Sequence, residues 1–222
     1  MPAILRRRPP QAAEPRTHPD AAGPAASPTG SLMLLTLLAL AVILSIPAAR
    51  AGDVRSADML AHTCAGCHGT DGASAGAAMP SIAGFDKGYL VTVLTDYKTG
   101  LRPSTIMGRI MRGYTDQEIA AIAGWFAARP WVSTDRPVDG QIAHQGEQIH
   151  ERACATCHAD GGRDQDQASP RLAGQWAPYT RYALETCRAQ GMRCQPRKMA
   201  ERVLELSDAE LAALAHYYES QK

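Results

Sequence analysis

The feature that most constrains this 222-residue chain is a Cys-x-x-Cys-His motif that occurs twice. The first copy is Cys64-Ala65-Gly66-Cys67-His68, and the second is Cys154-Ala155-Thr156-Cys157-His158. This spacing is the attachment signature of c-type haem, because two thiols one helical turn apart can both bond to the vinyl groups of one haem edge. The histidine that follows can then direct its imidazole at the iron. The sequence therefore predicts two covalently bound haems.

Two other functions are known for paired cysteines of this spacing. A zinc site would require a further Cys or His pair at ligand spacing, and none accompanies either motif. A redox-active dithiol has no need of a histidine directly after the second cysteine. Covalent haem attachment is the function that accounts for all three motif residues in both copies.

The resemblance between the two halves of the chain extends beyond the motifs. Pro80-Ser81-Ile82-Ala83-Gly84 matches Pro170-Arg171-Leu172-Ala173-Gly174 at the 90-residue spacing of the motifs, and Thr115-Asp116 matches Ser207-Asp208 at a spacing of 92. One duplicated unit with a two-residue insertion late in the second copy explains both spacings. We predict domains over residues 52–130 and 141–222, joined by a linker over residues 131–140.

The periodicity of apolar residues favours helices throughout. Residues 58–63 and 145–153 are predicted to be short helices that run into the haem motifs, and residues 86–97 form an amphipathic segment. Thr115 and Ser207 each provide a helix N-cap before the last apolar segment of their unit. No alternating segment of strand length is found, so the fold class is predicted to be all-α.

The duplication also helps to select the second axial ligand of each iron. Met107 and Met199 lie at matched positions, each shortly before the predicted N-cap of the last helix. A thioether opposite an imidazole stabilises ferrous iron and raises the reduction potential. We therefore predict His68 and Met107 on one iron, and His158 and Met199 on the other.

The remaining methionines and histidines do not recur at matched positions in the two units. They are interpreted as packing or surface residues, which is the common role of such side chains. These residues are Met79, Met111, His62, His144, His150 and His216.

The first fifty residues differ from the rest. Arg6, Arg7 and Arg8 precede an apolar segment over residues 32–47, which is followed by Ala49-Arg50-Ala51. This arrangement predicts a secretory signal over residues 1–51, and hence a periplasmic protein. An uncleaved anchor is the alternative, although the apolar segment is short for a membrane span. Since 23 basic residues nearly balance 22 acidic ones and form no basic block, nucleic-acid binding is not expected.

With both haem motifs and both methionines in place, the chain resembles two related groups. These are the dihaem cytochromes c4 and the cytochrome subunit of flavocytochrome c sulfide dehydrogenase. Four segments look closer to the second group: Pro80-Ser81-Ile82-Ala83-Gly84, Ser104-Thr105-Ile106-Met107-Gly108-Arg109-Ile110, Leu172-Ala173-Gly174-Gln175-Trp176-Ala177-Pro178-Tyr179 and Lys198-Met199.

The resemblance implies two tandem cytochrome c domains related by a pseudo-twofold axis, with their haems near each other. It implies a partner subunit that carries FAD and oxidises sulfide. It further implies that Pro80 and Pro170 orient the ligating imidazoles through their backbone carbonyls, a contact that a ligating histidine usually requires.

Cys187 and Cys194 depart from the family pattern. In an oxidising compartment two spare thiols seven positions apart most simply form a disulfide. A copper(I) site is the alternative, since Met192 would add a third sulfur ligand.

The leading hypothesis is an electron-transfer subunit rather than an enzyme in itself. Electrons would leave the partner's flavin, pass through the two haems and reach a soluble acceptor such as a small cytochrome. The chain carries no dinucleotide fingerprint of its own. A free-standing c4-type carrier that feeds a terminal oxidase is the alternative. A dihaem peroxidase is a third, but it needs an open iron position, which two methionine ligands would close.

Overall fold

The computed structural model describes residues 55–222, and the predicted signal segment, residues 1–51, lies outside the described residues. Residues 55–222 consist of α-helices, one 3₁₀ turn and loops, without a β-strand. The all-α prediction is therefore confirmed. Over the same residues, no helix combines the length and the apolar character that a bilayer span requires.

The helices fall into two sets, one for each copy of the duplicated unit. We call residues 55–130 the first repeat and residues 140–222 the second repeat. The first repeat contains α1 (Ala57–His62), α2 (Ala65–His68), α3 (Lys87–Thr99), α4 (Met107–Met111) and α5 (Asp116–Ala127). The second repeat contains α6 (Gly140–Ala153), α7 (Ala159–Gly162), α8 (Ala177–Gln190), the 3₁₀ turn (Gly191–Arg193), α9 (Arg197–Leu204) and α10 (Asp208–Ser220).

The last helix of each repeat begins at the predicted polar residue. The backbone N–H of Glu118 donates to Thr115 Oγ1 (3.2 Å), and that of Thr115 donates back to the Glu118 carboxylate (2.9 Å). Ser207 and Glu210 form the same reciprocal pair at 3.3 and 2.9 Å. Such capping boxes satisfy two backbone donors that a helix start otherwise leaves free.

Each repeat has its own hydrophobic core, which packs the last helix against the helix before the haem motif. The first core contains Leu60, Ala61, Phe85, Leu90, Ile122, Ala123 and Phe126. The second core contains Ile149, Leu184, Cys187, Cys194, Ala200, Val203, Leu206, Leu211, Ala213, Leu214, Tyr217 and Tyr218. The two cores are separate clusters, as expected of a duplicated unit.

The loop after each haem motif is closed by equivalent backbone bonds. The carbonyl of Gly72 accepts from the N–H of Ile82 (2.7 Å), and the carbonyl of Gly162 accepts from that of Leu172 (2.7 Å). Both pairs are related by the 90-residue spacing. The sequence repeat is thus also a repeat of backbone geometry.

The connection between the repeats is packed against both of them. Residues 131–139 contain no helix, but Trp131 and Ser133 lie directly over Gly84 and Gly174, respectively. Both glycines have φ in the left-handed region, 66° and 76°, and a Cβ at Gly84 would come within 2.9 Å of the Trp131 backbone nitrogen. Glycine is therefore required at both positions.

The structure differs from the sequence-based helix bounds in two respects. Helix α6 begins at Gly140 rather than at residue 145, because Asp139 caps it by accepting from the N–H groups of Gln141 (2.9 Å) and Ile142 (3.1 Å). Helices α4, α7, α8 and α9 were not predicted. Of these, α4, α7 and α9 span few residues, and periodicity gives little signal over such a length.

The repeats contact each other through reciprocal loops. Trp176 Nε1 of the second repeat donates to the carbonyl of Ser74 (3.0 Å). At the equivalent place in the first repeat, the N–H of Asp86 donates to Gln165 Oε1 (3.1 Å), whose amide nitrogen donates to the carbonyl of Gly84 (2.7 Å). Contacts that occur twice with the repeats exchanged are those that a twofold relation produces.

Candidate haem sites

One backbone carbonyl anchors each motif histidine. His68 Nδ1 lies 2.9 Å from the carbonyl oxygen of Pro80, and His158 Nδ1 lies 3.2 Å from that of Pro170. Because a carbonyl oxygen can only accept, each Nδ1 holds the proton and donates it, and each Nε2 keeps its lone pair. Both imidazoles are therefore held in the tautomer that can coordinate iron through Nε2.

Burial lowers the pKa of both imidazoles. His68 is 7 % exposed and His158 is half-buried, and loss of solvation disfavours the imidazolium more than the bond to the proline carbonyl favours it. Both histidines are thus neutral at neutral pH. Neutral imidazole is the form that binds a metal.

The motif cysteines are positioned on the same turn as the imidazole. The N–H groups of His68 and His158 donate to the carbonyls of Cys64 and Cys154, both at 3.0 Å. All four motif cysteines have free thiols, and the second of each pair is exposed: Cys64, Cys67, Cys154 and Cys157. Free thiols on the turn that presents a neutral imidazole are what covalent attachment of haem needs, so this donor set fits haem c.

The zinc alternative finds no support in this part of the chain. Over residues 55–222, no three His, Cys, Asp or Glu side chains are grouped in a way that could hold a metal ion. Burial also raises the pKa of the Cys64 and Cys154 thiols, which favours the neutral thiol over the thiolate that zinc binds.

The two predicted methionine ligands lie in equivalent places. Met107 is the first residue of α4, and Met199 lies in the first turn of α9, where its N–H donates to the carbonyl of Pro196 (2.9 Å). Both side chains are half-buried. Met199 packs against the second core beside Cys154 and Leu172. Ligation by Met107 and Met199 stays a prediction, and the placement of both residues is compatible with it.

The other methionines lie in different surroundings. Met111 is 2 % exposed and fills the interior of the first repeat. Met79 is half-buried, and its N–H donates to the carbonyl of Gly76 (3.0 Å). Met192 is 43 % exposed.

Of the remaining histidines, His150 has a structural partner, two face solvent, and His216 has a buried Nδ1 without a hydrogen-bond partner among residues 55–222. His150 is buried, and its Nδ1 lies 3.0 Å from the hydroxyl of Tyr218. His62 and His144 are exposed, and His216 is partly buried. These positions fit the packing and surface roles that the sequence suggested.

Cys187 and Cys194 are joined by a disulfide bond. Both residues are buried in the second core. Because the bond occupies both sulfurs, the copper(I) alternative with Met192 does not hold in this structure.

One interface residue was missed by the sequence analysis. The side-chain amide of Gln175 accepts from the N–H of Ser81 (3.0 Å) and donates to the carbonyl of the same residue (2.9 Å). Gln175 is 2 % exposed and Ser81 is 3 % exposed, so water cannot replace these bonds. The sequence repeat does not indicate this contact, because the residue equivalent to Gln175 in the first repeat is Phe85.

We expect Gln175→Ala to weaken the contact between the repeats. It would leave a buried N–H and a buried carbonyl without partners, which costs about 1–3 kcal/mol in the free energy of unfolding. Urea unfolding monitored by circular dichroism measures this change. Gln167→Ala, at an exposed residue of the same interface loop, is the matched control and should have little effect. Equal stability of the two variants would show that the Gln175 bonds contribute nothing.

Two protein families match the chain, one over each repeat. Residues 55–127 match the family described as "Cytochrome c", and residues 141–217 match "Cytochrome C oxidase, cbb3-type, subunit III". The two matched segments contain the two haem motifs.

Among individual proteins, similarity extends over most of the chain. Cytochrome c4 of Azotobacter vinelandii is 30% identical over 205 residues, which cover 83% of this chain and 96% of that protein. A thiosulfate dehydrogenase electron acceptor of Stutzerimonas stutzeri is 31% identical, over 73% of this chain and 80% of that protein. The cytochrome subunit of sulfide dehydrogenase from Chlorobaculum tepidum is 46% identical over 80 residues, which cover 36% of this chain and 72% of that protein.

The fold is similar to that of solved structures. The crystal structure of reduced recombinant cytochrome c4 from Pseudomonas stutzeri superposes with a TM-score of 0.68 at 28% identity, and the match covers 78% of this chain and all of that one. The helices described above thus follow an arrangement that is known experimentally.

Proposed function

Because this chain belongs to the cytochrome c4-like family of dihaem cytochromes c, we propose that it accepts electrons from a catalytic partner, a flavoprotein that oxidises sulfide. The observation that carries this proposal is the 46% identity to a sulfide dehydrogenase cytochrome subunit. In such a pair the partner performs the oxidation, and this chain is the electron carrier.

The residues of this chain would have separate tasks. Cys64 and Cys67 would bind one haem and Cys154 and Cys157 the other, in mature domains over residues 52–130 and 141–222. His68 and Met107 would hold the first iron, and His158 and Met199 the second. When bound, each haem supplies a single electron-accepting centre, as its iron cycles between the ferric and ferrous states.

The contribution of the protein is to fix the two sites. The Pro80 and Pro170 carbonyls hold the protons of the imidazole Nδ1 atoms, so each ligand keeps its orientation while the iron changes charge. The bonds between Gln175 and Ser81 hold the repeats together close to the first site. Rigid sites suit electron transfer because little has to move when an electron arrives.

Two one-electron sites match a flavin donor. A reduced flavin that has oxidised sulfide to the zero-valent level holds two electrons, and this chain would take one on each haem. The electrons would then leave singly to a soluble acceptor such as a small cytochrome. We place this exchange in the periplasm, with residues 1–51 as the secretory signal.

A free-standing c4-type carrier is the second candidate. It is favoured by the cytochrome c4 relatives, whose similarity extends along nearly the whole of their length. In that case the electrons would go to a terminal oxidase without a permanent partner. A peroxidase function is disfavoured, since Met107 and Met199 would close both iron positions.

Purification from the native periplasm distinguishes the two candidates. If the proposal is right, a larger chain that contains FAD copurifies, and sulfide then reduces both haems of the complex, as measured by their visible absorption. A chain that purifies alone, is not reduced with sulfide and is oxidised by membranes that contain a terminal oxidase would support the c4-type carrier. A partner that is active with thiosulfate would preserve the carrier role and change the substrate.

A further inference from the structure

The two repeats differ in how they hold the segment that leads to each predicted methionine ligand. In the first repeat, Tyr97 lies near the end of α3 and Arg102 lies in the loop that follows. The guanidinium carbon of Arg102 is 5.3 Å from the centre of the Tyr97 ring. A cation–π contact therefore links this loop to the helix before it, beside the backbone bond from the N–H of Arg102 to the carbonyl of Asp96 (3.1 Å). The guanidinium of Arg102 also lies beside the side chains of Tyr89 and Tyr179.

In the second repeat a covalent bond occupies the same two positions. The 90-residue spacing that relates Tyr89 to Tyr179 places Cys187 at the position of Tyr97. The 92-residue spacing that relates Met107 to Met199 places Cys194 at the position of Arg102. The disulfide thus replaces the Arg–Tyr contact, and the two-residue insertion lies between its ends.

A neighbouring contact is the same in both repeats. Lys98 Nζ forms an ion pair with the carboxylate of Asp116 (2.8 Å) between α3 and α5. Arg188 and Asp208, which are the equivalent residues by the same two spacings, pair in the same way between α8 and α10. This ion pair is therefore present in both repeats. The repeats differ in the contact within the segment, which is a cation–π contact in the first repeat and a disulfide in the second.

The covalent link is close to its methionine. Cys187 and Cys194 are 4% and 6% exposed, and they belong to the core cluster against which Met199 packs. In the first repeat Arg102, at the position of Cys194, is only partly buried, whereas most other residues of the two segments are exposed in both repeats.

We propose that the Cys187–Cys194 disulfide is a positioning clasp that holds Met199 at the second haem, and that the Tyr97–Arg102 contact is its weaker counterpart for Met107. This inference rests on the His/Met ligation proposed above. A short closed loop restricts the open conformations of the segment far more than a partly exposed cation–π contact does. The methionine of the first haem is therefore displaced more easily than that of the second.

Titration of the purified ferric dihaem protein with imidazole tests the clasp. Imidazole competes with the thioether, and loss of the weak near-infrared sulfur-to-iron band reports each displacement. We expect two phases in the wild-type protein, with the second haem more resistant. In Cys187→Ser/Cys194→Ser the resistant phase should move to lower imidazole by on the order of thirty- to a hundredfold, the factor expected for opening a loop this short.

Two further variants separate positioning from general stability. Leu206→Ala removes buried volume from the same core without touching the disulfide, so it should lower stability and leave the resistant phase in place. Tyr97→Leu should shift the phase of the first haem to lower imidazole, because it removes the ring beneath Arg102. If the double serine variant fails to hold two haems, Tyr97→Leu still tests whether the Tyr97–Arg102 contact helps to hold Met107 at the first haem.

The failures of the two proposals are distinguishable. A wild-type protein without the near-infrared band would overturn methionine ligation itself. A wild-type protein with the band, in which both haems lose it at one imidazole concentration, would overturn the clasp alone. An unshifted resistant phase in Cys187→Ser/Cys194→Ser, or an unshifted first phase in Tyr97→Leu, would do the same.

Discussion

Replacing Cys154 and Cys157 together with serine is expected to leave one covalently bound haem per chain instead of two. Serine cannot form thioether bonds, so the second haem would have no covalent attachment. The second repeat should also lose stability, because Cys154 packs against its core and a unit of this size depends on what fills its interior. Mass spectrometry of the intact chain and the haem-to-protein ratio measure the result.

The other cysteine pair provides the matched control. Cys187→Ser/Cys194→Ser changes the same number of cysteines in the same repeat, but these two are bonded to each other. Both haems should therefore remain attached to that variant. If the Cys154/Cys157 variant still carried two haems after denaturation, the haem motifs would have been assigned wrongly.

Replacing Met199 with histidine is expected to lower the reduction potential of one haem and leave the other nearly unchanged. A thioether stabilises ferrous iron relative to a second imidazole, and axial ligands set haem potentials over a span of about 0.8 V. We expect a fall on the order of 0.1 V at the altered site, together with loss of about half of the near-infrared band. Met107→His should do the same at the other haem. Spectroelectrochemical titration resolves the two potentials.

Met111→Leu tests whether the fall in reduction potential arises from the loss of a methionine ligand. Met111 is buried in the first repeat, four positions after Met107, and leucine has a similar volume and no sulfur. This variant should keep both potentials and the whole near-infrared band. Loss of about half of the band in Met111→Leu, with the whole band kept in Met107→His, would transfer the ligand role to Met111.

The sequence was sufficient to predict the parts of the fold that depend on local signals. The capping residues Thr115 and Ser207 start the last helices as expected, because a cap and the apolar residues after it are read from neighbouring positions. The family resemblance implied that the Pro80 and Pro170 carbonyls orient the imidazoles, and in the structure His68 and His158 have hydrogen bonds to these two carbonyls.

The contacts between the repeats could not be predicted in the same way. Gln175 and Trp176 reach Ser81 and Ser74, which lie about a hundred positions earlier in the chain, and no periodicity relates residues across such a distance. The Tyr97–Arg102 contact was missed for another reason. The equivalent residues in the second repeat are Cys187 and Cys194. A search for identical residues in the two repeats does not detect that a disulfide replaces a cation–π contact.

The bond between Gln175 and Ser81 has a consequence for how the two iron sites could influence each other. Ser81 directly follows Pro80, whose carbonyl holds the proton of the His68 imidazole, so a glutamine of the second repeat is fixed one residue from the group that steers the first iron ligand. At the position equivalent to Ser81 the second repeat has Arg171, whose guanidinium turns toward Trp131 and the carbonyl of Ala173. A tilt of the second repeat would therefore be felt at the histidine of the first haem, and, because coupling between two sites is reciprocal, a change at that histidine would be felt at Gln175.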